Sequence, residues 1–302
     1  MSSKRKKIAF FIESIEPVGG IETWIYYVSV DLQKYHDVSV FYDWCAPAQL
    51  RRLVDKGVKC QLASTAPKTV YDILFRGYRG NVDIKAKRYV QTIHACFSEL
   101  PEYHFVPWDK TTHYMAVSKR SKASFLELFS DEKLPITVVS NYVPTRKIPV
   151  TKPISGAISM VFASRLTGEK GVTHLIEMLK ELERREVNYH LDFFTILPRL
   201  PHFDTRKVSF VETRLDIDFS KYHYLIQLSD TEAYGYSIHE ALNSGTAVIV
   251  KDLPSLRGIV KHGYNGYIYP DIDDITNVPI RFKYKPTGSV KKWLEYIDFV
   301  LK

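Results

Sequence analysis

Short apolar runs alternate along the chain with longer segments in which apolar residues recur every three or four positions. The short runs are typical of buried strands in a parallel sheet, and the longer segments are typical of the helices that connect such strands. Strands are predicted at residues 8–12, 38–42, 89–93, 114–117, 136–139, 158–163, 190–195, 208–211, 222–227 and 246–250. Helices are predicted at residues 22–33, 172–182 and 290–301. This alternation predicts an α/β fold.

Residues 143–157 divide these elements into two sets. The segment contains residues that interrupt regular structure, namely Pro144, Pro149, Pro153 and Gly156. Proline fixes φ and has no N–H for a sheet ladder or a helix interior, so the segment is interpreted as an interdomain linker. We therefore expect two domains, residues 1–145 and 146–285, and a terminal helix in residues 286–302 that packs back toward the first domain.

The composition is that of a globular protein. Of the 302 residues, 45% are apolar and 25% are charged, which excludes a disordered, collagen-like or coiled-coil chain. The net charge of +8 favours anionic partners, which include nucleic acids, acidic membranes and phosphorylated small molecules. Nucleic acid is not expected, because the basic residues lack the interleaved aromatics of an RNA-binding sheet and no helix-turn-helix pattern occurs.

Cysteines and apolar runs indicate the compartment. The three cysteines, Cys45, Cys60 and Cys96, are odd in number and widely spaced, so neither a disulfide framework nor a zinc site is predicted. No apolar run approaches the ~18 residues of a membrane span, and the basic start is followed by only five apolar residues before Glu13. We expect a soluble cytoplasmic protein without a signal peptide.

The strongest candidate site follows the strand predicted to end near Leu228. A polar loop with Glu232 comes next, a helix is predicted to begin at Gly235 or Tyr236, and Glu240 lies one turn inside it. A helix start presents unpaired N–H groups and the positive end of its dipole, which suit a phosphate, and two carboxylates can accept hydrogen bonds from sugar hydroxyls. Two surface glutamates near a helix start would give the same pattern.

A second candidate site follows the strand at 158–163. The turn there carries Arg165 and Lys170 before the next helix. A guanidinium and an ammonium beside a helix start can hold a diphosphate. The alternative is a solvated turn that flanks a helix.

Two further candidates lie in the first domain. Gly19 and Gly20 follow the first strand and open a helix, and paired glycines allow positive φ and close approach of an anion. His94 stands at the carboxyl end of another strand, where its imidazole is either a site residue or structural. No GxGxxG follows the first strand and no GxxxxGK[ST] occurs, which argues against dinucleotide oxidoreductases and P-loop enzymes.

The order of these features resembles the family 4 retaining glycosyltransferases. The resemblance covers most of the chain and is strongest over residues 159–269. The Glu-x7-Glu motif of the family falls on Glu232 and Glu240, and its Arg–Lys pair falls on Arg165 and Lys170. Further matching segments are residues 19–22, His94, residues 116–120 and residues 247–266. The resemblance implies the GT-B fold, in which two Rossmann-like, doubly wound parallel-sheet domains face a central cleft.

The resemblance also implies a reaction. A hexose or N-acetylhexosamine moves from a nucleotide diphosphate donor, UDP above all, to a glycan, wall-polymer or lipid-linked acceptor, with retained anomeric configuration. The first domain binds the acceptor and the second binds the nucleotide sugar. No cofactor is implied beyond this nucleotide-sugar co-substrate, and polysaccharide biosynthesis is the implied setting.

The family's functional residues carry over position by position. The implied catalytic residues are His94, Arg165, Lys170 and Glu232, of which Arg165 and Lys170 hold the diphosphate and neutralise the leaving group. The implied donor-binding residues are Gly20, Ala233, Tyr234, Gly235, Tyr236 and Glu240. Glu240 binds the ribose, Glu232 and the backbone of 233–236 hold the sugar, and His94 contacts the 6-hydroxyl side of that sugar.

No metal ion is expected at this site. Fixed cations and a helix dipole can stabilise the charge that develops on a diphosphate leaving group. Asp216 and Asp218 form a DxD sequence, a pattern that holds a divalent ion in the other large glycosyltransferase fold. Because they precede the glutamate pair and lie between two strands, we interpret them as exposed loop or helix charges.

Three segments depart from the family pattern. Residues 196–201 and Glu212 replace usual glycine positions, and Asn141-Tyr142 replaces a usual Asn-Gly. In the family these positions border the pocket for the base and the ribose, so the identity of the nucleotide base is left undetermined. The alternatives to an active enzyme are a non-catalytic GT-B subunit that binds and stabilises a partner glycosyltransferase, and a GT-B protein that binds polyanions without turnover.

Basic residues concentrate in the first domain, at residues 4–7 and 76–88. Clustered Lys and Arg attract anionic lipid headgroups, by about 1 kcal/mol each near the surface. Peripheral contact with the inner face of the membrane is therefore one expectation, and a solvated basic face is the other.

Overall fold

A computed structural model describes residues 5–100, 104–144, 156–195, 206–211, 216–279 and 282–302. The chain divides into two compact units, each with its own parallel sheet. Unit 1 comprises Met1–Pro144 and Thr287–Lys302, and unit 2 comprises Thr145–Pro286. Most of the predicted linker, like residues 196–201 and Glu212, lies outside the described ranges.

Unit 1 is built on a seven-stranded parallel sheet. Its strands are β1 (Lys7–Ile15), β2 (Asp37–Cys45), β3 (Lys59–Leu62), β4 (Tyr71–Arg76), β5 (Ala86–Ile93), β6 (His113–Ala116) and β7 (Ile136–Val138), and its first helices are α1 (Gly20–Leu32), α2 (Pro47–Val54) and α3 (Lys119–Leu128). The strand order is β3-β2-β1-β4-β5-β6-β7. Ser118 caps α3 through a reciprocal pair of hydrogen bonds with Ser121, which fixes where that helix begins.

Unit 2 is built on a six-stranded parallel sheet. Its strands are β8 (Ile158–Ala163), β9 (Tyr189–Phe194), β10 (Val208–Val211), β11 (Tyr224–Gln227), β12 (Ala247–Lys251) and β13 (Gly266–Tyr269), and its helices are α4 (Val172–Arg184) and α5 (Tyr236–Asn243). The strand order is β10-β9-β8-β11-β12-β13. This is the order of doubly wound nucleotide-binding folds.

The helix α6 (Val290–Val300) completes the core of unit 1. Its Trp293 is fully buried, with ring centroids 5.5 Å from Phe75 of β4 and 6.3 Å from Phe10 of β1. Trp24 of α1 lies 6.0 Å from the same ring. Aromatic residues from the two chain segments of unit 1 therefore pack together on one face of the sheet. The Ser289 side chain accepts a hydrogen bond from Lys292 N–H and caps the helix.

The two parallel sheets confirm the predicted α/β class, and each predicted strand overlaps an observed one. Three strands were not predicted, β3, β4 and β13, and neither were α2 and α3. The reasons are local. Strand β4 carries Asp72 and Arg76 among its apolar residues, β13 begins with a glycine, and α2 buries only Gln49 and Leu53. Within the described residues, no helix has the length and apolar character that a membrane span requires.

Candidate functional site

The strand order of unit 2 reverses between β8 and β11. From β8 the sheet continues to β9 and β10, and from β11 it continues to β12 and β13. In doubly wound sheets, ligands bind beyond the carboxyl ends of the strands at such a point. The loops at this point are residues 164–171 and 228–235. They carry six of the predicted site residues, Arg165, Lys170, Glu232, Ala233, Tyr234 and Gly235.

Gly171 brings these two loops into contact. It has φ 73° and ψ 33°, in the left-handed region that favours glycine. A Cβ atom here would lie 1.8 Å from the carbonyl oxygen of Leu228, so no side chain fits. Beside it, Asp230 N–H donates to the carbonyl oxygen of Glu169 at 3.0 Å. The glycine therefore lets the turn after β8 rest directly on the end of β11.

Lys170 and Glu232 form an ion pair across this contact. Lys170 Nζ lies 2.8 Å from Glu232 Oε1, and the two side chains are only 18% and 13% exposed. The same oxygen accepts hydrogen bonds from Ser229 Oγ at 3.0 Å and Gln227 Nε2 at 3.4 Å. The carboxylate is thus held in one orientation before any ligand binds.

Arg165 lies on the same turn as Lys170. Its Nη2 atom is 3.1 Å from Glu169 Oε1, and its side chain is 44% exposed. Both cations of the turn are therefore paired with a carboxylate, Lys170 with Glu232 and Arg165 with Glu169. A phosphate group that binds here must replace these carboxylates as the partner of Lys170 and Arg165.

Helix α5 begins at Tyr236, as the sequence predicts. Its N-cap is Gly235, with φ 77° and ψ 66°, and no side chain caps the first turn. The backbone N–H groups of this turn carry the positive end of the helix dipole. Glu240 is half-buried, one turn inside the helix. The predicted order of loop glutamate, helix start and helical glutamate is confirmed.

The tyrosines of the loop are packed rather than exposed. The Tyr234 ring stacks on His239 of α5 at 4.0 Å, and the Tyr236 ring meets Tyr234 edge-on at 4.9 Å. Tyr284 Oη pairs with His239 Nδ1 on the far side. Burial lowers the pKa of His239 to about 3, so the imidazole is neutral. These rings pack against one another and against α5.

His94 follows β5 in unit 1, as predicted. Its ring lies 4.6 Å from that of Trp24 in an edge-to-face contact. Burial lowers the pKa of His94 to about 3. Among the described residues, no hydrogen-bond partner reaches its buried Nε2 atom. A neutral imidazole with an unused nitrogen can bind a hydroxyl group.

The glycine pair opens α1, as the sequence predicts. Gly20 is exposed and is the first residue of the helix. Gly19 has an extended φ of 164°, and neither glycine uses the left-handed φ that its lack of a side chain allows. A Cβ on Gly19 would lie 2.2 Å from Glu22 Oε2, while Glu22 Oε1 accepts from Glu16 N–H at 3.0 Å. Gly19 is small because the buried carboxylate of Glu22 folds back over it.

The DxD sequence lies at the amino end of β11, away from the loops described above. Asp218 accepts hydrogen bonds from Ser220 N–H at 3.3 Å and from Ser220 Oγ at 2.6 Å, and so caps a short 3₁₀ turn. Asp216 is also exposed. Their interpretation as exposed charges is confirmed. In the described part of the chain, no three His, Cys, Asp or Glu side chains are grouped as a metal site would require.

Two cations of the basic stretch of unit 1 are paired with carboxylates. Arg79 pairs with Glu13 at 2.8 Å, and Lys87 pairs with Asp72 at 2.7 Å. Arg88 donates to the carbonyl oxygen of Val300 at 3.1 Å. Arg76 is only 1% exposed, so its inclusion in a basic surface is wrong. It is the last residue of β4 and contacts Val106 and Trp108, which lie between β5 and β6.

Sequence reasoning missed the polar residues that hold Glu232. Gln227 is 2% exposed at the end of β11, and it donates to Ser229 Oγ at 2.6 Å and accepts from Ser237 Oγ of α5 at 3.4 Å. Ser229 is fully buried. The available signal was a glutamine that ends an apolar strand next to a candidate loop, since a buried polar side chain needs partners.

Comparison with known proteins places these features in context. Residues 157–281 match a family model described as glycosyl transferases group 1. The matched segment contains Arg165, Lys170, Glu232 and Glu240. No curated protein matches the chain in sequence.

Solved structures resemble the whole chain at low identity. HepE from Anabaena, in complex with UDP-glucose, is 17% identical with a TM-score of 0.68 over 91% of this chain and 92% of that one. The pneumococcal O-GlcNAc transferase GtfA, in complex with UDP and GlcNAc, is 11% identical with a TM-score of 0.65 over 98% and 92%. The lipopolysaccharide outer core galactosyltransferase WaaB is 16% identical with a TM-score of 0.57 over 98% and 93%.

These likenesses show that the fold is that of the GT-B glycosyltransferases. The family match and the fold together support a glycosyltransferase of the GT-B type. Membership of family 4 and the roles carried by the Glu-x7-Glu motif stay predictions.

Proposed function

We propose that the protein is a retaining glycosyltransferase. It transfers a hexosyl or N-acetylhexosaminyl group from a nucleoside diphosphate sugar, with uracil as the base, to a glycan, wall-polymer or lipid-linked acceptor. The observation that carries the proposal is the 2.8 Å pair of Lys170 and Glu232 at the switch point of the unit 2 sheet. A cation, a carboxylate and an uncapped helix start at one point suit a sugar diphosphate.

Ligand-bound structures of proteins with a similar fold support the choice of donor. Structures of HepE contain UDP-glucose, and the structure of GtfA contains UDP with GlcNAc. Both sugars belong to the classes proposed here. Uracil as the base is the finer part of the proposal, because residues 196–201 and Glu212 lie outside the described ranges.

Lys170 and Arg165 bind the diphosphate of the donor. As the glycosidic bond breaks, negative charge develops on this leaving group. Fixed cations and the start of α5 stabilise that charge more strongly than they stabilise the intact donor, and this difference lowers the barrier. The carboxylates of Glu169 and Glu232 balance the two cations until the donor arrives. The proposal requires no metal ion.

The loop after β11 binds the sugar and the ribose. Glu232 accepts hydrogen bonds from sugar hydroxyls, because its carboxylate is already oriented by Ser229 and Gln227. The backbone of 233–236 follows the sugar, since its tyrosine rings pack against one another and against α5. Glu240 accepts hydrogen bonds from the ribose hydroxyls.

Unit 1 contains two further residues that the family resemblance assigns to the site. The neutral imidazole of His94 can bind a sugar hydroxyl through the nitrogen that has no partner among the described residues. Gly20 is exposed at the start of α1, where its backbone is open to a ligand.

Nucleotide release tests the proposal. Thermal shifts with a panel of nucleotide sugars identify the donor, because a ligand that binds only the folded state raises the melting temperature. With that donor, Lys170→Ala and Glu232→Ala are each expected to reduce nucleotide release by about 10²–10³-fold, the usual loss when a charge-stabilising group is removed. Lys180→Ala and Glu295→Ala, at exposed positions on α4 and α6, serve as matched controls and retain activity.

The same assay identifies the alternative. A wild-type protein that releases no nucleotide from any donor but binds a partner glycosyltransferase is a non-catalytic GT-B subunit. Release that survives both Lys170→Ala and Glu232→Ala contradicts the assignment of the site. Retention is read from the anomeric configuration of the first product, by NMR.

A further inference from the structure

Arg76 occupies the switch point of the unit 1 sheet. The strand order there reverses between β1 and β4, so the ligand position of a doubly wound sheet lies at the carboxyl ends of these two strands. Arg76 is the last residue of β4 and is in register with Phe11 of β1 and Gln91 of β5. The position is equivalent to the one that holds Lys170 and Glu232 in unit 2.

The Arg76 guanidinium is buried with almost no partners. The residue is 1% exposed, and its one side-chain hydrogen bond to a described residue is a long one, from Nη1 to the carbonyl oxygen of Val106 at 3.4 Å. The buried Nε atom makes no hydrogen bond in the described part of the chain. A guanidinium has five N–H donors and stays charged in proteins, so most of its donors are unused.

No carboxylate of the described residues forms an ion pair with Arg76. Glu13 and Asp109 are the acidic residues whose fields reach it. Glu13 is paired instead with Arg79, at 2.8 Å. The Trp108 ring, 5.5 Å from the guanidinium carbon, gives only a cation–π contact. A buried charge is normally paired, because removing an ion from water without a partner is unfavourable.

The described residues around Arg76 offer it few acceptors. Gln91 Nε2 donates to the carbonyl oxygen of Val106 at 2.7 Å, so the two lone pairs of that oxygen are shared between Gln91 and Arg76. Gln91 Oε1 accepts from Trp108 N–H at 3.0 Å, which fixes this segment over the strands. Thr92 Oγ1 contacts the carbonyl oxygens of Arg76 and Gly77 at 2.9 and 2.7 Å. Donors exceed acceptors at this point, and an anion corrects the imbalance.

We propose that Arg76 forms an anion-binding site in unit 1, and that its occupant is a carboxylate or phosphate group of the acceptor. The bidentate fork of the guanidinium matches two oxygens of either group. The assignment to the acceptor rests on the proposed glycosyltransferase function. The anion site itself rests on the geometry of Arg76 alone.

Thermal unfolding of the full chain tests the site directly. The probes are sodium phosphate and sodium D-glucuronate, with D-glucose as the neutral counterpart and sodium chloride to match ionic strength. We expect the melting temperature to rise and saturate with one of the two anions, which distinguishes a phosphate site from a carboxylate site. Glucose is expected to have no effect.

Three substitutions make the test specific. Arg76→Met removes the buried charge at similar length, so we expect an anion-free melting temperature at or above that of wild type, and no response to either anion. Arg76→Lys keeps the charge but lacks the two parallel N–H donors of the guanidinium, and we expect anion affinity to fall by at most about a hundredfold. Arg79→Met, which removes the exposed partner of Glu13, keeps the response.

Three results would overturn the proposal. The first is a wild-type protein that responds to neither anion, and the second is an Arg76→Met variant that responds as well as wild type. The third is an anion-free Arg76→Met variant that melts far below wild type, because Arg76 is then stabilised by its own neighbours. Nucleotide-sugar binding to unit 2, measured in the same variants, is expected to be unchanged and separates this outcome from failure of the proposed function.

Discussion

Gly171 is the residue on which the approach of the two site loops depends. Its left-handed φ of 73° and the 1.8 Å that would separate a Cβ from the Leu228 carbonyl oxygen exclude any other residue. Lys170, its immediate neighbour, reaches Glu232 only because the turn lies so close to the end of β11. A residue without a side chain thus determines the position of a charged one.

Gly171→Ala is expected to impair both stability and donor binding. The methyl group must push the turn away from β11, and alanine resists a positive φ, so we expect a loss of more than ~1 kcal/mol in the free energy of unfolding. Donor affinity should fall as the pair of Lys170 and Glu232 separates. Chemical denaturation and donor titration measure the two effects.

Gly168→Ala is the matched control in the same turn. Nothing lies within 4 Å of a Cβ atom built on Gly168, and its φ is not in the left-handed region. This variant should resemble wild type in both measurements. Equal behaviour of the two variants would contradict the role given to Gly171.

At the scale of elements, the loop between β11 and α5 is joined at both ends by Gln227. The side chain contacts Ser229 and Glu232 within the loop and Ser237 in the first turn of α5. The strand end, the carboxylate and the helix start therefore keep fixed relative positions. Preorganisation of this kind lowers the cost of binding.

Gln227→Leu is expected to make the loop less rigid without leaving a cavity in the core. The volume is nearly conserved, but Glu232 loses one donor and Ser237 loses its acceptor. We expect the KM for the donor to rise more than kcat falls, because Lys170 and Ser229 still hold the carboxylate. Steady-state kinetics across donor concentrations gives both parameters.

Gln49→Leu is the corresponding control in unit 1. Gln49 is also 2% exposed, and it donates to the carbonyl oxygen of Pro17 at 3.0 Å. Its replacement should cost comparable stability and leave the donor KM unchanged. A rise in KM for both variants would mean that general destabilisation, and not the loop, is responsible.

The parallel strands and the meeting of Lys170 with Glu232 could be predicted from sequence, because carboxyl ends of neighbouring parallel strands lie at one edge of a sheet. Strand β4 could not, since Asp72 and Arg76 interrupt its apolar run. The contacts of Gln227 depend on the tertiary structure and could not be predicted from the sequence. The burial of Arg76 also escaped the sequence, where a lone arginine in a basic stretch is typical of a surface.

At the scale of the whole molecule, unit 1 is completed by residues that follow unit 2 in the chain. Helix α6 places Trp293 among Phe10, Phe75 and Trp24, with no exposed surface left on its side chain. Unit 2, in contrast, is one continuous segment. The two units therefore differ in what each needs in order to fold.

Trp293→Ala is expected to destabilise unit 1 by about 3–5 kcal/mol, the usual cost of emptying a large aromatic site in a core. Unit 2 should keep its nucleotide affinity, because none of its own core contacts change. Phe299→Ala removes a ring that is 49% exposed on the same helix and should cost much less. Denaturation followed by tryptophan fluorescence, with nucleotide titration beside it, compares the variants. Loss of nucleotide binding in Trp293→Ala would show that the units do not fold separately.

The late position of α6 has a consequence for biosynthesis. On the ribosome, the strands of unit 1 emerge first, but the tryptophan that seals them is translated only after all of unit 2. Domains tend to fold as units while synthesis continues. The middle segment can therefore reach its native state while the earlier one still exposes Phe10 and Phe75. A pause in translation before residue 290 would prolong that exposure, and chaperones would be needed most at that moment.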